Sequence, residues 1–313
     1  MRCLPKIRQH GWPKVVMTIA DEKNLSGISH LIADIASRLA NSDSPRLDAR
    51  WLIGLALRRD EAVFSHEELA LTPSEQQRLQ ALVSARQQGR PISRMRGKRG
   101  FYRHEFYLND ATLDPRADSE ILVQTAISYA LSASAGGGEP YHILDLGTGT
   151  GCLVLSVLDE VAGAQGMGID CQPLAVAQAR ANAAHLSLSH RAEFRVGDWC
   201  EGLEKSFDMI LVNPPYIADN CDELKPDVKD FDPPAALFAG AEGYDAYQRL
   251  IPQLPWVMNR NAICCVEIGV GQQDRIIAIA EQAHLRFIEH KRDLGGRIRT
   301  LIFRNNQHHS CYG

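Results

Sequence analysis

The feature that most constrains this chain is one strand-to-helix junction, Leu144-Asp145-Leu146-Gly147-Thr148-Gly149-Thr150-Gly151. The apolar run from His142 to Leu146 predicts a buried strand, and a helix is expected from about Cys152. Between them, alternate glycines let the backbone turn tightly and let a ligand approach where a Cβ would otherwise stand. The helix that follows offers unpaired N–H groups at its N-terminus, which suit a negative group. Strand, tight turn and helix in this order form one unit of an α/β sheet.

The downstream sequence repeats that unit. Further strands are predicted over Gly166–Asp170, Glu193–Gly197, Asp208–Val212, Ala262–Ile268 and Arg299–Phe303. Helices are predicted over Pro173–Ala184, Tyr244–Val257 and Gln272–Ala283. Such alternation argues for an α/β fold with a mostly parallel, doubly wound sheet. Ligands on these sheets bind at the carboxyl ends of the strands, where the strand order reverses.

A different pattern precedes the sheet. Ile28, Leu31, Ile32, Ile35 and Leu39 recur at helical spacing. Ser44-Pro45 reads as an N-cap with proline in the first helical position, and Thr72-Pro73-Ser74-Glu75 as a capping box. His66-Glu67-Glu68-Leu69-Ala70 begins like a zinc-protease helix but has Ala70 where the second histidine must stand. With 313 residues, and about 150 per domain as a guide, two modest domains fit. The expected division is an extension over 1–24, a helical recognition domain over 25–90, a basic linker or hairpin over 91–114, the sheet domain over 115–304 and a polar tail over 305–313. The first sixteen residues carry Arg2, Lys6, Arg8 and Lys14 but no apolar core of a secretory signal; the plainer reading is an extension ahead of an alternative start at Met17.

Composition excludes several classes. Hydrophobic residues at 45% and charged residues at 23% rule out wholesale disorder. Lys+Arg 34 against Asp+Glu 38 leaves a net charge of −4, so the chain is no polybasic nucleic-acid coat and no stable nucleic-acid binding is expected. One basic run stands out, Arg86, Arg90, Arg94, Arg96, Lys98, Arg99 and Arg103, with no acid among them. It reads either as a solvated linker or as a contact to RNA or an acidic partner. No run approaches 18 apolar residues, so no membrane span is expected. The eight cysteines show no C-x-x-C pair and no zinc spacing, which predicts free thiols, a cytoplasmic location and no metal.

Two motifs carry chemistry. Asp170, closing the second strand, is placed to accept hydrogen bonds from both hydroxyls of a ribose. A dinucleotide fingerprint would need glycine at position 152, which is Cys152. Gly147, Thr148, Gly149, Thr150 and Gly151 with Asp170 instead suit S-adenosylmethionine. Asp198-Trp199 follows the third strand, where the adenine of such a cofactor would lie; Trp199 is equally suited to plain core packing. The second motif is Asn213-Pro214-Pro215-Tyr216, at the end of strand Asp208–Val212. Proline has no N–H for a ladder, so the strand stops there. The Asn213 side-chain oxygen and the Pro214 carbonyl then offer two acceptors for the two hydrogens of a planar –NH2 group, and Tyr216 a ring to pack on it. Taken alone, the tetrapeptide could be only a rigid turn.

These stretches, with Phe101-Tyr102, Leu113–Glu120, Asp230-Phe231-Asp232-Pro233, Gly243–Tyr247 and Glu267-Ile268-Gly269, closely resemble the protein-(glutamine-N5) methyltransferases that modify peptide-chain release factors. The likeness runs from about Asp48 to Arg304. It implies a seven-stranded Rossmann-like domain behind a small helical domain, S-adenosylmethionine as cofactor, and class I release factors as protein substrate. It also implies methylation at the glutamine of their Gly-Gly-Gln motif, with Asn213, Pro214, Pro215 and Tyr216 binding that side chain. The rival readings are a glutamine methyltransferase of a large-subunit ribosomal protein, an adenine-N6 methyltransferase, and a protein that binds S-adenosylmethionine or RNA without turnover. The family usually has an aliphatic residue where Asp114 stands and proline at Ala117, which predicts a looser loop around Arg116.

Overall fold

The computed structural model describes residues 25–39, 42–134, 140–204, 206–221 and 226–306. The expectations for the first sixteen residues and for the tail beyond residue 306 lie outside the described residues. The chain divides between Gln88 and Gly89 into two compact units.

The first unit contains α1 (Leu25–Arg38), α2 (Pro45–Ala56) and α3 (Pro73–Gln87). Ile28, Ile32, Ile35 and Leu39 are buried, as their spacing predicts, while Leu31 is half-buried. The Thr72 capping box forms: the Glu75 N–H donates to Thr72 Oγ1 at 3.4 Å and the Thr72 N–H to Glu75 Oε2 at 2.7 Å. Ser44 stands at the N-cap of α2 with Pro45 in the first turn, as expected, but its side chain makes no capping bond. Ser42 ties the approach to the helix, accepting the Ser44 N–H at 3.0 Å and donating to Asp48 at 2.7 Å. Arg86 of α3 reaches the same carboxylate at 2.7 Å.

The second unit opens with α4 (Ile92–Arg96) and the hairpin β1 (Lys98–Phe101) and β2 (His104–Tyr107). The sheet and its helices follow: α5 (Glu120–Ser134), β3 (Tyr141–Leu146), α6 (Cys152–Glu160), β4 (Ala164–Asp170), α7 (Pro173–His185), β5 (Ala192–Val196) and β6 (Phe207–Val212). Next come α8 (Pro226–Phe231), α9 (Asp245–Leu250), α10 (Leu254–Val257), β7 (Met258–Glu267), α11 (Gln273–Gln282), β8 (Leu285–Arg292) and β9 (Ile298–Asn305). Seven strands pair in the order β5-β4-β3-β6-β7-β9-β8, all parallel from β5 to β7, with β9 antiparallel to both its neighbours. The chain runs outward from β3 to β5, then crosses back to β6, so the order reverses between β3 and β6.

Burial on both faces explains why these strands read as continuous apolar runs. Ile143, Met209, Leu211, Ile263 and Cys265 face one core, together with residues of α5, α6 and α7. Leu144, Leu146, Ile210, Val212, Cys264 and Val266 face the other, with Tyr247, Leu254 and Ile276 from the later helices. The sheet is thus doubly wound.

Two expectations change. The helix predicted over Tyr244–Val257 is α9, a 3₁₀ turn over Ile251–Gln253 and α10, because Pro252 and Pro255 interrupt the N–H ladder. Strand β8 was not expected: its Arg286, Glu289, His290, Lys291 and Arg292 hide the strand pattern at a half-exposed sheet edge. Within the basic run four side chains have carboxylate partners, although Arg99 and Arg103 stay largely exposed. Arg94 pairs with Asp232 at 2.6 Å, Arg96 with Glu105 at 2.5 Å, Arg99 with Asp114 at 3.6 Å and Arg103 with Glu160 at 2.6 Å, all within the second unit. Among the described residues no helix is long and apolar enough to cross a membrane.

The seat of α6 on β4 is testable. A Cβ at Gly166 would lie 2.5 Å from Val154 Cγ2 and 3.0 Å from Leu158 Cδ1. Gly166→Ala should therefore lower stability by about 1–3 kcal/mol through overpacking. Urea unfolding is the measurement, and an unchanged midpoint would mean that the helix is not pressed against the strand.

Candidate functional site

Parallel register sets three strand ends on one rim. Leu146 of β3 lies opposite Ile169 of β4 and Val212 of β6. The residues that follow, Gly147, Asp170 and Asn213, therefore emerge side by side where the strand order reverses. A cavity of about 540 Å³ opens there, a volume typical of sites for small cofactors.

The glycine turn forms one wall. Gly147, Gly149 and Gly151 all adopt positive φ. Trp199 lies against Gly147, its ring 3.6 Å from where a Cβ would stand. The Gly147 and Thr148 N–H groups both donate to the Ile169 carbonyl at 2.9 Å. The Thr148 hydroxyl donates to Asp145 at 2.7 Å beneath the turn. Asp145 is fully buried, and burial pushes its carboxyl up to about 7 against the opposing Thr148 bond. Asn182, also fully buried, donates to the Thr150 carbonyl at 2.9 Å and exchanges bonds with the backbone of Tyr107, tying the hairpin to the turn.

Asp170 is preset. Its Oδ2 accepts the Gly149 N–H and its Oδ1 the Gln172 N–H, each at 2.9 Å. Burial raises its carboxyl above the ordinary range, and the two N–H groups oppose that rise. A carboxylate has about four acceptor positions, so one on each oxygen remains for a ligand.

The opposite wall rests on Asp232. Arg94 donates to its Oδ1 at 2.6 Å and Arg116 to its Oδ2, while the Asp114 N–H reaches Oδ1 at 3.3 Å. Arg94 also donates to the Asn109 and Thr112 carbonyls, at 2.8 and 2.6 Å. One carboxylate thus joins the loop 109–116 to Pro233–Ala236, and both segments line the cavity. The looser loop expected around Arg116 is not found. Asp114 is 3% exposed, and it accepts the Ser93 hydroxyl and pairs with Arg99.

Most of the residues singled out in the sequence meet here. Gly147, Thr148, Gly149, Thr150, Asp170, Asp198, Trp199, Asn213 and Pro215 line one cavity. Gly151, Pro214 and Tyr216 are not among its lining residues. Gly151 packs where a Cβ would come within 3.1–3.3 Å of Leu155, Ala179 and Phe194. The Tyr216 hydroxyl turns to Glu267 Oε1 at 3.4 Å. Its carbonyl accepts from Gln272, which also holds Gly243 and Gly269 and so braces the turn after β6. Asp198, read as an adenine acceptor, is engaged by Arg249. Sequence reasoning missed Arg249, Ser119 and the clamp on Asp232. Their signal is contact between segments far apart in the chain, which no local pattern carries.

Asn213 has a defined orientation. Its Nδ2 donates to Ser119 Oγ at 3.3 Å, which turns Oδ1 the other way. The glycine cradle, the preset Asp170 and the cavity volume fit a nucleoside-bearing sulfonium cofactor. Among the described residues no group of three or more His, Cys, Asp and Glu is placed to hold a metal ion.

Comparison with known proteins gives the family. A Methyltransferase small domain matches residues 121–228 and a PrmC N-terminal domain residues 30–97. Fold and site define a Rossmann-like, S-adenosylmethionine-dependent methyltransferase. Proteins named release factor glutamine methyltransferase are similar over most of their length. That of Rhodospirillum rubrum is 41% identical over 269 residues, 85% of this chain and 81% of its own. That of Cereibacter sphaeroides is 35% identical over 268 residues, 85% and 93%, and that of Agrobacterium fabrum 35% over 267 residues, 83% and 90%. This chain belongs to the release factor glutamine methyltransferase family.

The clamp yields a prediction. Asp232→Ala leaves the Arg94 guanidinium, 7% exposed, without its carboxylate. Breaking a buried pair from one side costs about 3–5 kcal/mol. Urea unfolding should show a loss of that order, with Arg116→Ala, at a side chain 34% exposed, much milder. Equal effects of the two variants would show that the buried Arg94 pair does not anchor the wall.

Proposed function

We propose that this chain methylates the side-chain amide nitrogen of the glutamine in the Gly-Gly-Gln motif of class I peptide-chain release factors, giving N5-methylglutamine. The carrying observation is Asn213 at the cavity edge, its Nδ2 held by Ser119 and its Oδ1 left to accept. S-adenosylmethionine, when bound, supplies an activated methyl group on a sulfonium centre. The assigned cofactor residues are Gly147, Thr148, Gly149, Thr150 and Gly151 in the turn, Asp170 for the ribose hydroxyls, and Asp198 and Trp199 around the adenine.

An amide nitrogen is a poor nucleophile because its lone pair is delocalised into the carbonyl. Asn213 Oδ1 and the Pro214 carbonyl are assigned to its two hydrogens. Acceptors held in place can rotate the –NH2 group, aim its lone pair and stabilise the positive charge that develops. Pro214-Pro215 supplies rigidity, since proline fixes φ. Tyr216 is assigned to substrate packing through its ring. No side chain need act as a base, because an amide nitrogen with a fourth substituent is acidic and releases its proton to water. Recognition of the release factor is assigned to residues 25–90, most of which belong to the first unit with its helices α1, α2 and α3.

Two substitutions separate binding from chemistry. Asp170→Ala should weaken S-adenosylmethionine binding by about 1.5–3 kcal/mol, the scale of hydrogen bonds to a charged group. Calorimetry on the folded variant decides this, and unchanged affinity would remove Asp170 from the cofactor site. Asn213→Ala should slow single-turnover methylation of a purified release factor by about 10²–10³, the cost of losing a preorganised polar contact. Cofactor affinity should change far less. A variant working at the normal rate would reduce Asn213–Tyr216 to a rigid turn and require a different function.

A further inference from the structure

Gln272, just ahead of α11, is a buried side chain that the reaction above leaves unassigned. It is 8% exposed and is not among the residues lining the cofactor cavity. Its amide joins three segments. Oε1 accepts the Gly269 N–H at 2.9 Å, just past β7, while Nε2 donates to the Tyr216 carbonyl at 3.1 Å and to the Gly243 carbonyl at 3.2 Å. A primary amide has two N–H donors, and both are spent here on backbone carbonyls. The junction has no spare room. A Cβ at Gly243 would lie 2.5 Å from the Tyr216 oxygen, and one at Gly269 would lie 2.7 Å from Gln272 Oε1 and 3.2 Å from the Tyr216 ring. Gln272 is itself anchored, since its N–H donates to the Gly269 carbonyl at 3.3 Å and its carbonyl accepts the Ile276 N–H at 3.1 Å.

The bond to Tyr216 falls on the peptide that ends the turn Asn213–Tyr216. That peptide unit is planar. Gln272 holds its carbonyl, and its other side, the Ile217 N–H, donates to the Leu237 carbonyl at 2.9 Å. At the opposite end, Val212 is paired in the sheet with Leu146 and Val266. The turn is therefore a bridge fixed at both ends. Proline fixes φ at Pro214 and Pro215. Only ψ of Pro215 and φ and ψ of Tyr216 remain free between the Pro214 carbonyl and the peptide that Gln272 grips. The place of that peptide thus limits where the Pro214 oxygen can point.

We propose that Gln272 is a positioning residue of the methyl transfer: by holding the Tyr216–Ile217 peptide, its side-chain amide keeps the Pro214 carbonyl directed at the substrate nitrogen. This rests on the glutamine-methylation reading of the same site. The chemistry requires an amide in this place. Two carbonyl oxygens converge on one nitrogen, and only a group with two protons answers both. A methionine of similar length has no proton to give. A glutamate keeps the acceptor for Gly269 but sets a charged oxygen against two carbonyls. Burial and those carbonyls would raise its carboxyl above the ordinary value of about 4.3. Below the raised pKa the acid regains one proton, and with it one of the two bonds.

The test measures single-turnover methylation of a purified release factor by wild type, Gln272→Met and Gln272→Glu, with S-adenosylmethionine affinity taken by calorimetry. Gln272→Met should turn over about 10- to 100-fold more slowly per folded molecule, the scale of a small misplacement in a catalytic contact. Cofactor affinity should be unchanged. Gln272→Glu should be slow at neutral pH, and its rate relative to wild type should rise as pH falls. The titratable side chains on the joined segments, Tyr216, Glu242, Tyr244, Glu267, Asp274 and Arg275, are the same in both proteins, so the ratio isolates position 272. A purely structural brace would lower the unfolding midpoint and leave the rate per folded molecule alone. A further readout needs no turnover: hydrogen-exchange protection of the Ile217 N–H should fall in Gln272→Met. Gln272→Met working at the normal rate, a loss lying wholly in cofactor affinity, or a Gln272→Glu rate ratio flat in pH would each overturn the proposal. Should Gln272→Glu not fold, the rate and exchange of Gln272→Met decide. Should Ile217 lose protection in Gln272→Met while wild type leaves release factors unmethylated, the brace stands and the substrate reading falls.

Discussion

The register of β3 against β4 and β6 is the constraint on which the site depends. Opposite Leu146 stand Ile169 and Val212, and one residue further on are Gly147, Asp170 and Asn213. A one-residue slip of β6 would present Pro214 in place of Asn213 and exchange the residues facing the two cores. Hydrophobicity alone does not prevent this, since both faces of β6 are apolar and buried. The strand is pinned at its ends instead. At the start, Asp208 accepts the His142 N–H at 2.9 Å and the Asn259 amide at 2.7 Å. At the finish, Pro214 and Pro215 forbid further pairing.

This explains which parts of the molecule were legible in the sequence. Fully buried parallel strands write themselves as apolar runs, and β3, β4, β6 and β7 were readable for that reason. The glycine turn, Asp170 and Asn213–Tyr216 were readable because their geometry is local: each sits at a strand end and is defined by its immediate neighbours. Strand β8 was not, because an edge strand with charged side chains has little to distinguish it from a loop. The inward turn of the Tyr216 hydroxyl was hidden too, since it depends on Glu267, which lies on the neighbouring strand β7. Pro252 and Pro255 were visible, yet a helical period running through them concealed the break.

Charge shows the same division. Counted along the chain, the run ending at Arg103 is the most one-sided stretch and invites an external partner. In space, Asp232, Glu105, Asp114 and Glu160 answer it. Asp114 illustrates how a departure from a family pattern is absorbed. An acid stands in a buried place, where the Ser93 hydroxyl donates to one carboxylate oxygen and Arg99 lies 3.6 Å from the other.

The position of β9 has a consequence for how the molecule is made. β7 and β8 do not pair with each other; β9, the last strand in the chain, lies between them. Until Ile298–Asn305 is in place, β7 offers an open edge bearing Ile263, Cys264, Cys265 and Val266. During synthesis the five parallel strands can assemble while that edge is still uncovered. Such an edge is a template for another chain. The interval before the last strand arrives is therefore the period of greatest exposure to aggregation, and a chain stopped short of Ile298 would carry that exposure permanently.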